Sequence, residues 1–119
     1  MNEGARVTLD DLDGIAADPT HHTILFENDE VRVIETTIAA GEVTPIHTHL
    51  APTVMYFISG SHFIRRDETG STMVDTRATP DFVLPQVSYS PGVPRHTIEN
   101  TGDDELRVIG VELKHPRGA

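Results

Sequence analysis

Two short segments of the chain carry histidines at spacings that suit metal binding. His47 and His49 stand two residues apart in a segment with the composition of a β-strand. Because side chains at positions i and i+2 of a strand share one face, both imidazoles can converge on one point. His96 follows the Pro91-Gly92 turn at the start of another strand-like segment and could supply a third ligand. The pattern indicates a site for one divalent metal ion.

The elements that must position these histidines are short β-branched stretches separated by turn residues. The candidate strands are Thr23 to Glu27, Val31 to Ile38, Thr44 to His49, Val54 to Ser59, His62 to Arg66, Thr72 to Thr76, Phe82 to Leu84, Val87 to Ser90, His96 to Glu99 and Leu106 to Leu113. Their regular spacing predicts an all-β sandwich or barrel. Before them, Thr8 to Leu12 could form one capped helical turn. Since no repeat, linker or helix-length periodicity is present, we expect one domain over residues 1–119.

Composition narrows the classes of partner and of chemistry. The 119 residues include 19 acidic and 9 basic side chains, a formal charge of −10. No Lys/Arg cluster offsets this charge, so we expect neither nucleic acid nor an anionic membrane as a partner. The chain has no cysteine, which excludes disulfides, thiolate zinc sites and cysteine nucleophiles. Metal ligands would therefore be histidine nitrogens and oxygens.

The start of the chain is acidic where a signal peptide needs a basic start and an apolar run. The longest apolar run, Val54 to Ile58, is far shorter than the roughly 20 residues that span a bilayer. We therefore expect a cytoplasmic protein without a membrane segment.

The histidine segments resemble the two sequence motifs of the cupin superfamily. Seven positions match these motifs at their spacing: Gly41, His47, His49 and Gly60 in the first, and Pro91, His96 and Asn100 in the second. The resemblance extends from about Glu30 to Leu113. It implies an all-β cupin barrel, a double-stranded β-helix or jelly roll, preceded by an N-terminal arm of residues 1–22.

One departure from the cupin motifs bears on chemistry, because the glutamate of the first motif falls on Thr53. A neutral hydroxyl is a weak ligand, so the resemblance implies a three-histidine site on His47, His49 and His96, as in the acetylacetone and cysteine dioxygenases. It implies iron(II), although imidazoles also suit zinc, nickel, manganese or copper. Three neutral imidazoles leave the charge of the metal uncompensated, which favours a small anionic or enolate substrate.

Three functions are compatible with such a site. The first is an iron(II) dioxygenase-like oxidoreductase that acts on a small molecule. The second is a non-catalytic barrel that binds a small ligand or carbohydrate, with the histidines as hydrogen-bonded core residues and no metal. The third is a metal-dependent isomerase, cyclase or lyase that stabilises an enolate without consuming oxygen.

Four further residues are candidates for the pocket wall. Thr53, Met55 and Phe57 share one strand face, and the resemblance places that face inside the barrel. Side chains such as Met55 and Phe57 more often serve only as core. Tyr89, just before the second motif, could offer a phenol donor to the same pocket.

The other histidines receive different assignments. The resemblance places His62 and Ile64 on the interior face of the next strand. His62 could act there as a catalytic base or be an ordinary buried, hydrogen-bonded histidine. His21, His22 and His115 lie near the ends of the chain, where histidines usually face solvent, and receive no role.

The last predicted strand indicates self-association. It is apolar on both faces, with Leu106 and Val108 on one and Ile109, Val111 and Leu113 on the other. Neither face suits contact with water, so we expect a homodimer.

Overall fold

Short antiparallel strands make up most of the structure, a computed structural model that describes residues 7–115. Within this range the strands are β1 (His22–Glu27), β2 (Val31–Ile38), β3 (His47–His49), β4 (Thr53–Ser59), β5 (Phe63–Asp67), β6 (Thr72–Asp75), β7 (Gln86–Ser90), β8 (Val93–Asn100) and β9 (Leu106–Leu113). One short helix, α1 (Gly14–Ala17), precedes them, and a 3-10 turn (Thr76–Ala78) follows β6. No helix in this part of the chain has the length and apolar composition needed to cross a membrane.

The strands form two sheets. The larger sheet has the order β1-β2-β9-β4-β7 and the smaller has the order β3-β8-β5-β6. Every pair of neighbouring strands in these sheets is antiparallel. The predicted all-β class is confirmed.

The apolar core lies between the two sheets. Its buried members come from both: Ile38, Phe57, Leu106 and Val108 from the larger sheet, and Phe63 and Ile98 from the smaller. The rings of Phe57 and Phe63 stack across the interface with centroids 5.9 Å apart. Phe82 packs its ring edge-on against both. These contacts fix the two sheets face to face.

Three strands of the larger sheet change from apolar to polar along their inner faces. Starting at the core, the inward residues are Ile38, Thr36, Ile34 and Arg32 on β2, Phe57, Met55 and Thr53 on β4, and Leu106, Val108, Gly110 and Glu112 on β9. The register aligns these residues row by row. One end of the barrel is therefore an apolar core, and the other end holds polar side chains around a cavity.

The strand predicted for Phe82 to Leu84 is wrong. This segment lies between Pro80 and Pro85, which lack the N–H that a strand ladder requires. Phe82 and Leu84 still pack against the core from an irregular segment. The apolar pattern therefore reports burial here and not strand pairing.

The helical turn predicted for Thr8 to Leu12 is also wrong, because the helix begins after it at Gly14. Asp10 and Leu12 hold β3 instead. The hydroxyl of Thr48 donates to Asp10 Oδ1 at 2.7 Å, and its backbone N–H donates to the carbonyl of Leu12 at 2.7 Å. These bonds bring α1 against the strand that carries the paired histidines.

Candidate metal centre

Four histidine rings meet at the polar end of the barrel. On β3, the ring centroids of His47 and His49 are 4.8 Å apart. His96 on β8 lies 4.3 Å from His47 and 5.4 Å from His49. His22, the first residue of β1, lies 4.8 Å from His47 and 5.1 Å from His49. One nitrogen from each of His22, His47 and His49 lies within 4.8 Å of the other two, so the cluster could hold a metal ion.

A repeated Pro-x-His sequence orients two of these rings. Nδ1 of His47 lies 2.8 Å from the carbonyl oxygen of Pro45, and Nδ1 of His96 lies 2.7 Å from that of Pro94. A carbonyl oxygen only accepts, so each Nδ1 carries the hydrogen and donates it. Each Nε2 then keeps the lone pair that a metal ligand needs.

His22 is held in the same way by a different element. Its Nδ1 donates to the carbonyl oxygen of Asp18, 2.9 Å away, in the turn after α1. Its Nε2 is buried and has no hydrogen-bond partner. A buried polar atom without a partner costs about 1–3 kcal/mol. A metal ion at the cluster would use this lone pair, and the donor set therefore fits a divalent metal.

His49 faces a buried chain of charges. Its Nδ1 lies 3.8 Å from Oε2 of Glu112, whose Oε1 accepts a 2.8 Å hydrogen bond from Nε of Arg32. The guanidinium of Arg32 also donates to Asp13 at 2.8 Å. Burial alone would raise the pKa of Glu112, but the nearby His49 and the hydrogen bond and charge of Arg32 hold that pKa below its usual range. The carboxylate of Glu112 thus lies next to Nδ1 of His49. Carboxylates in this position orient metal-binding imidazoles in many proteins.

Known proteins resemble this chain through its structure. No protein-family model matches the sequence, and no curated protein matches it. A cupin domain from Bordetella pertussis Tohama I superposes with a TM-score of 0.64 at 20% identity, over 78% of this chain and 91% of that one. An RmlC-like cupin with a double-stranded β-helix fold from Methanocaldococcus jannaschii gives 0.59 at 19% identity, over 80% of each chain. The chain has the cupin fold.

A third similar structure is that of a predicted oxalate decarboxylase from Thermotoga maritima. Its TM-score is 0.53 at 18% identity, and the match covers 78% of each chain. At these identities the likeness concerns the fold. The expectation that the two histidine motifs belong to a cupin barrel is confirmed.

Burial favours the neutral form of three histidines in the cluster, His22, His47 and His96. It lowers the pKa of His47 to about 4, with a further contribution from the neighbouring His49. It lowers the pKa of His96 to about 2, helped by His47. The pKa of His22 is also lowered, first by burial and then by His49. Neutral imidazole is the form that binds metal, so the site is ready for a cation at neutral pH.

The metal-free protein is expected to lose stability as the pH falls from 7 to 5. Because the pKa of His47 is about 4 when folded and about 6.5 when unfolded, the unfolded chain binds the proton more readily between these values. For a histidine with these pKa values, protonation of the unfolded chain lowers the free energy of unfolding by about 2 kcal/mol at pH 5. Urea titrations in EDTA at both pH values measure the loss. A His47→Gln variant should lose less, and equal stability at both pH values would contradict the prediction.

The backbone of α1 closes over two of the rings. A Cβ placed on Gly14 would lie 2.6 Å from Cε1 of His49 and 3.3 Å from the ring of His22. Only glycine permits this approach without moving His49.

Gly14→Ala is therefore expected to turn the His49 ring away and to weaken metal binding roughly 10-fold, the size of effect seen when a supporting contact is lost. Competition with a chromophoric chelator measures the change. Ala16→Gly, an exposed position in the same helix, is the control and should leave affinity unchanged. Equal affinities for Gly14→Ala and wild type would show that the helix does not position the ligands.

The space between the sheets contains two adjoining cavities of about 60 and 70 Å³. Of the predicted pocket residues, Thr53 and Met55 line the first cavity, and Met55 and Phe57 line the second. Phe57 also belongs to the core. Thr53 donates its hydroxyl to the carbonyl of Ala51 at 3.0 Å, so this hydroxyl is already engaged.

Tyr89 lies elsewhere than predicted. It faces outward from β7 and is 60% exposed. It pairs with Val54, whose neighbours Thr53 and Met55 face inward, so Tyr89 shares the outer face of the sheet. Ser90 lines the cavity instead.

The predicted catalytic residue His62 lies just before β5 and does not line either cavity. Its Nδ1 lies 2.9 Å from the hydroxyl of Thr76. The interior face of β5 carries Phe63 and Arg65, one residue out of phase with the prediction. Phe63 enters the core and sets this phase, because a one-residue slip turns every side chain to the opposite face.

The position of His22 near the end of the chain predicts that it faces solvent, and the sequence pattern assigns no role to Arg65. The expectation for His22 is wrong, because its side chain is buried and lines the second cavity, as does that of Arg65. His22 is the first residue of β1. Extending the predicted strand from Thr23 by one residue would have included it and placed its side chain on the same face as that of Ile24. For Arg65, the signal was Phe63, the largest apolar residue of that strand and hence the best guide to its interior face.

Proposed function

We propose that this cupin is a divalent-metal-dependent enzyme that acts on a small organic molecule inside the barrel. The observation that carries the proposal is the shared orientation of the rings. His22, His47 and His96 donate Nδ1 to backbone carbonyls, and His49 turns Nδ1 toward Glu112. Hydrogen bonds of this kind support metal-binding imidazoles. A purely structural role for the histidines would leave the buried Nε2 of His22 without a use.

Iron(II) is the metal that we propose, held by His47, His49 and His96 together with His22; zinc, nickel, manganese and copper are compatible with the same donors. When bound, the ion would supply Lewis acidity and, as iron(II), electrons for dioxygen chemistry. Thr53 stands where a carboxylate would otherwise neutralise the ion. The remaining positive charge favours an anionic or enolate substrate.

The proposed reaction is a dioxygenase-like oxidation of a small chelating or anionic compound. Met55 and Val108 line both cavities and would keep water from the reacting molecule. Oxygen-electrode assays of iron(II)-loaded protein with diketones, thiols and hydroxyketones test the reaction. We expect substrate-dependent uptake by wild type and none by His96→Ala. Equal uptake by the two proteins would contradict the proposal.

A metal-dependent lyase or isomerase is the second candidate. It draws on the likeness to the Thermotoga maritima protein described as a predicted oxalate decarboxylase. Such an enzyme would use the same histidines with no net consumption of oxygen. Turnover of oxalate or another small carboxylate without oxygen uptake would favour it over the oxidation. A barrel that binds a ligand without metal would show neither turnover nor metal dependence.

We also propose that the protein forms a homodimer through the outer face of the larger sheet. Two apolar cross-strand pairs lie there, Val54 with Tyr89 and Tyr56 with Val87. Their partners on β9 are equally apolar, Val111 and Ile109. Val87 and Tyr89 are 65% and 60% exposed. This continuous surface explains why β9 is apolar on both faces, and large apolar patches mark interaction sites.

Light scattering at micromolar concentration is expected to give twice the monomer mass. Tyr89→Glu should shift the protein to monomer, because it buries a charge in the interface. Val83→Glu, at a position 67% exposed in the loop before β7, is the control and should remain dimeric. A monomeric mass for wild type would contradict the proposal.

A further inference from the structure

Arg65 is a partly buried cation that no residue of the described chain neutralises. It lies on β5 with its side chain on the walls of both cavities. Its Nε is buried and has no hydrogen-bond partner. All the remaining arginines among residues 7–115 donate at least one side-chain hydrogen bond. The pairs are Arg32 with Asp13 and Glu112, Arg66 with Glu99, Arg77 with the carbonyl of Thr101, Arg95 with Glu68, and Arg107 with Glu35. Arg65 is therefore the arginine of this range whose guanidinium has no hydrogen-bond partner.

The carboxylate that shares a cavity with Arg65 is already engaged. Glu112 lines the first cavity, but it accepts from Arg32 at 2.8 Å and faces Nδ1 of His49. Burial lowers the pKa of Arg65, yet a guanidinium stays charged at neutral pH. Burying a charge without a partner is unfavourable. An anion that enters the cavity would pair with the guanidinium of Arg65 without competing with a protein carboxylate for it.

The remaining lining residues indicate which non-charged part such an anion would have. Met55 and Val108 line both cavities, and Phe63 lines the second. The small polar residues of the first cavity are Thr36, Ser90 and Thr53, and the hydroxyl of Thr53 is engaged by the carbonyl of Ala51. These surfaces fit a compact apolar group, while the planar guanidinium fits a carboxylate through two parallel hydrogen bonds.

We propose that Arg65 binds the carboxylate of a small, compact, apolar-bodied carboxylic acid between the two sheets. The role of this acid as substrate rests on the proposed function, since His49 lines both cavities, His96 lines the second, and both would face its other end. Arg65 is then the binding residue that sets the substrate class. The carboxylate site itself does not require a metal.

Metal-free protein in EDTA tests this site separately from the metal. Isobutyrate and isobutyramide have the same shape and differ in charge, so they form a matched pair of probes. Ligand-observed NMR titration should show saturable binding of isobutyrate and at least 10-fold weaker binding of isobutyramide. Arg65→Met should abolish this preference. Arg65→Lys should keep part of it, because lysine retains the positive charge but cannot make the two parallel hydrogen bonds of a guanidinium. Arg66→Met, one residue along and paired with Glu99, should bind isobutyrate like wild type.

Thermal unfolding gives a second readout. Isobutyrate should raise the Tm of wild type and leave that of Arg65→Met unchanged. Arg65→Lys carries the test if the methionine variant fails to fold. Equal binding of the acid and the amide by wild type, or unchanged preference in both Arg65 variants, would overturn the proposal. Carboxylate binding in a protein that takes up no metal would uphold Arg65 as an anion site and overturn only the metal-dependent function.

Discussion

Replacing His96 with alanine is expected to weaken divalent-metal binding on the order of 100-fold or more while leaving the barrel folded. Binding energies of about 10–16 kcal/mol for four-ligand zinc sites imply roughly 3 kcal/mol for each ligand. His96 contacts the rings of both His47 and His49, so its loss opens the cluster. The core that joins the sheets contains none of these histidines. Chelator competition gives the affinity, and circular dichroism checks the fold.

Two further alanine variants complete this series. His62→Ala is the control, because that ring contacts Thr76 and lines neither cavity. His22→Ala tests whether the fourth ring is a ligand. A loss as large as that of His96→Ala assigns His22 to the metal, whereas a loss no larger than that of His62→Ala restricts the site to three histidines. Stoichiometric tight binding by His96→Ala would contradict the metal centre as described.

Replacing Arg32 with methionine is expected to lower the free energy of unfolding by about 3–5 kcal/mol. Arg32 donates to Glu112 and to Asp13, each at 2.8 Å, and all three side chains are buried. Without the guanidinium, two carboxylates remain in the interior with no cation between them. Urea unfolding at pH 7 measures the loss.

Arg66→Met is the matched control for this variant. Arg66 pairs with Glu99 at 2.8 Å, but both side chains are about one-third exposed. An exposed pair contributes no more than about 1 kcal/mol. Arg32→Met should also weaken metal binding, because Glu112 would no longer be held against His49. Equal stability losses in the two variants would contradict the structural role of the buried charges.

The fold could be predicted from the sequence because its signals are local. Alternating β-branched residues and turn residues located most of the strands, and Val31–Ile38 and Leu106–Leu113 have the predicted bounds. The two histidine motifs identified the cupin barrel through residues close together in the chain. The ring centroids of His47, His49 and His96 lie within 5.4 Å of one another, and their role as metal ligands stays a prediction.

The remainder of the site depends on contacts between distant segments, which no local pattern reports. His22 reaches the cluster from a strand that neither motif includes. The charges of Asp13, Arg32 and Glu112 meet only because α1, β2 and β9 converge at one end of the barrel. Tyr89 and Arg65 show a second difficulty. Whether a strand residue faces in or out depends on the phase of its strand, and one residue of error inverts the answer.

Isothermal titration of metal-free, untagged protein tests the metal centre most directly. Iron(II) under anaerobic conditions and zinc(II) are titrated separately at pH 7.5. We expect saturation at one ion per chain, with proton competition weakening the binding strongly at pH 5 because each imidazole must be neutral to bind. Absence of saturable binding for both ions at pH 7.5, or binding that is equally strong at pH 5, would contradict a metal centre built from these histidines.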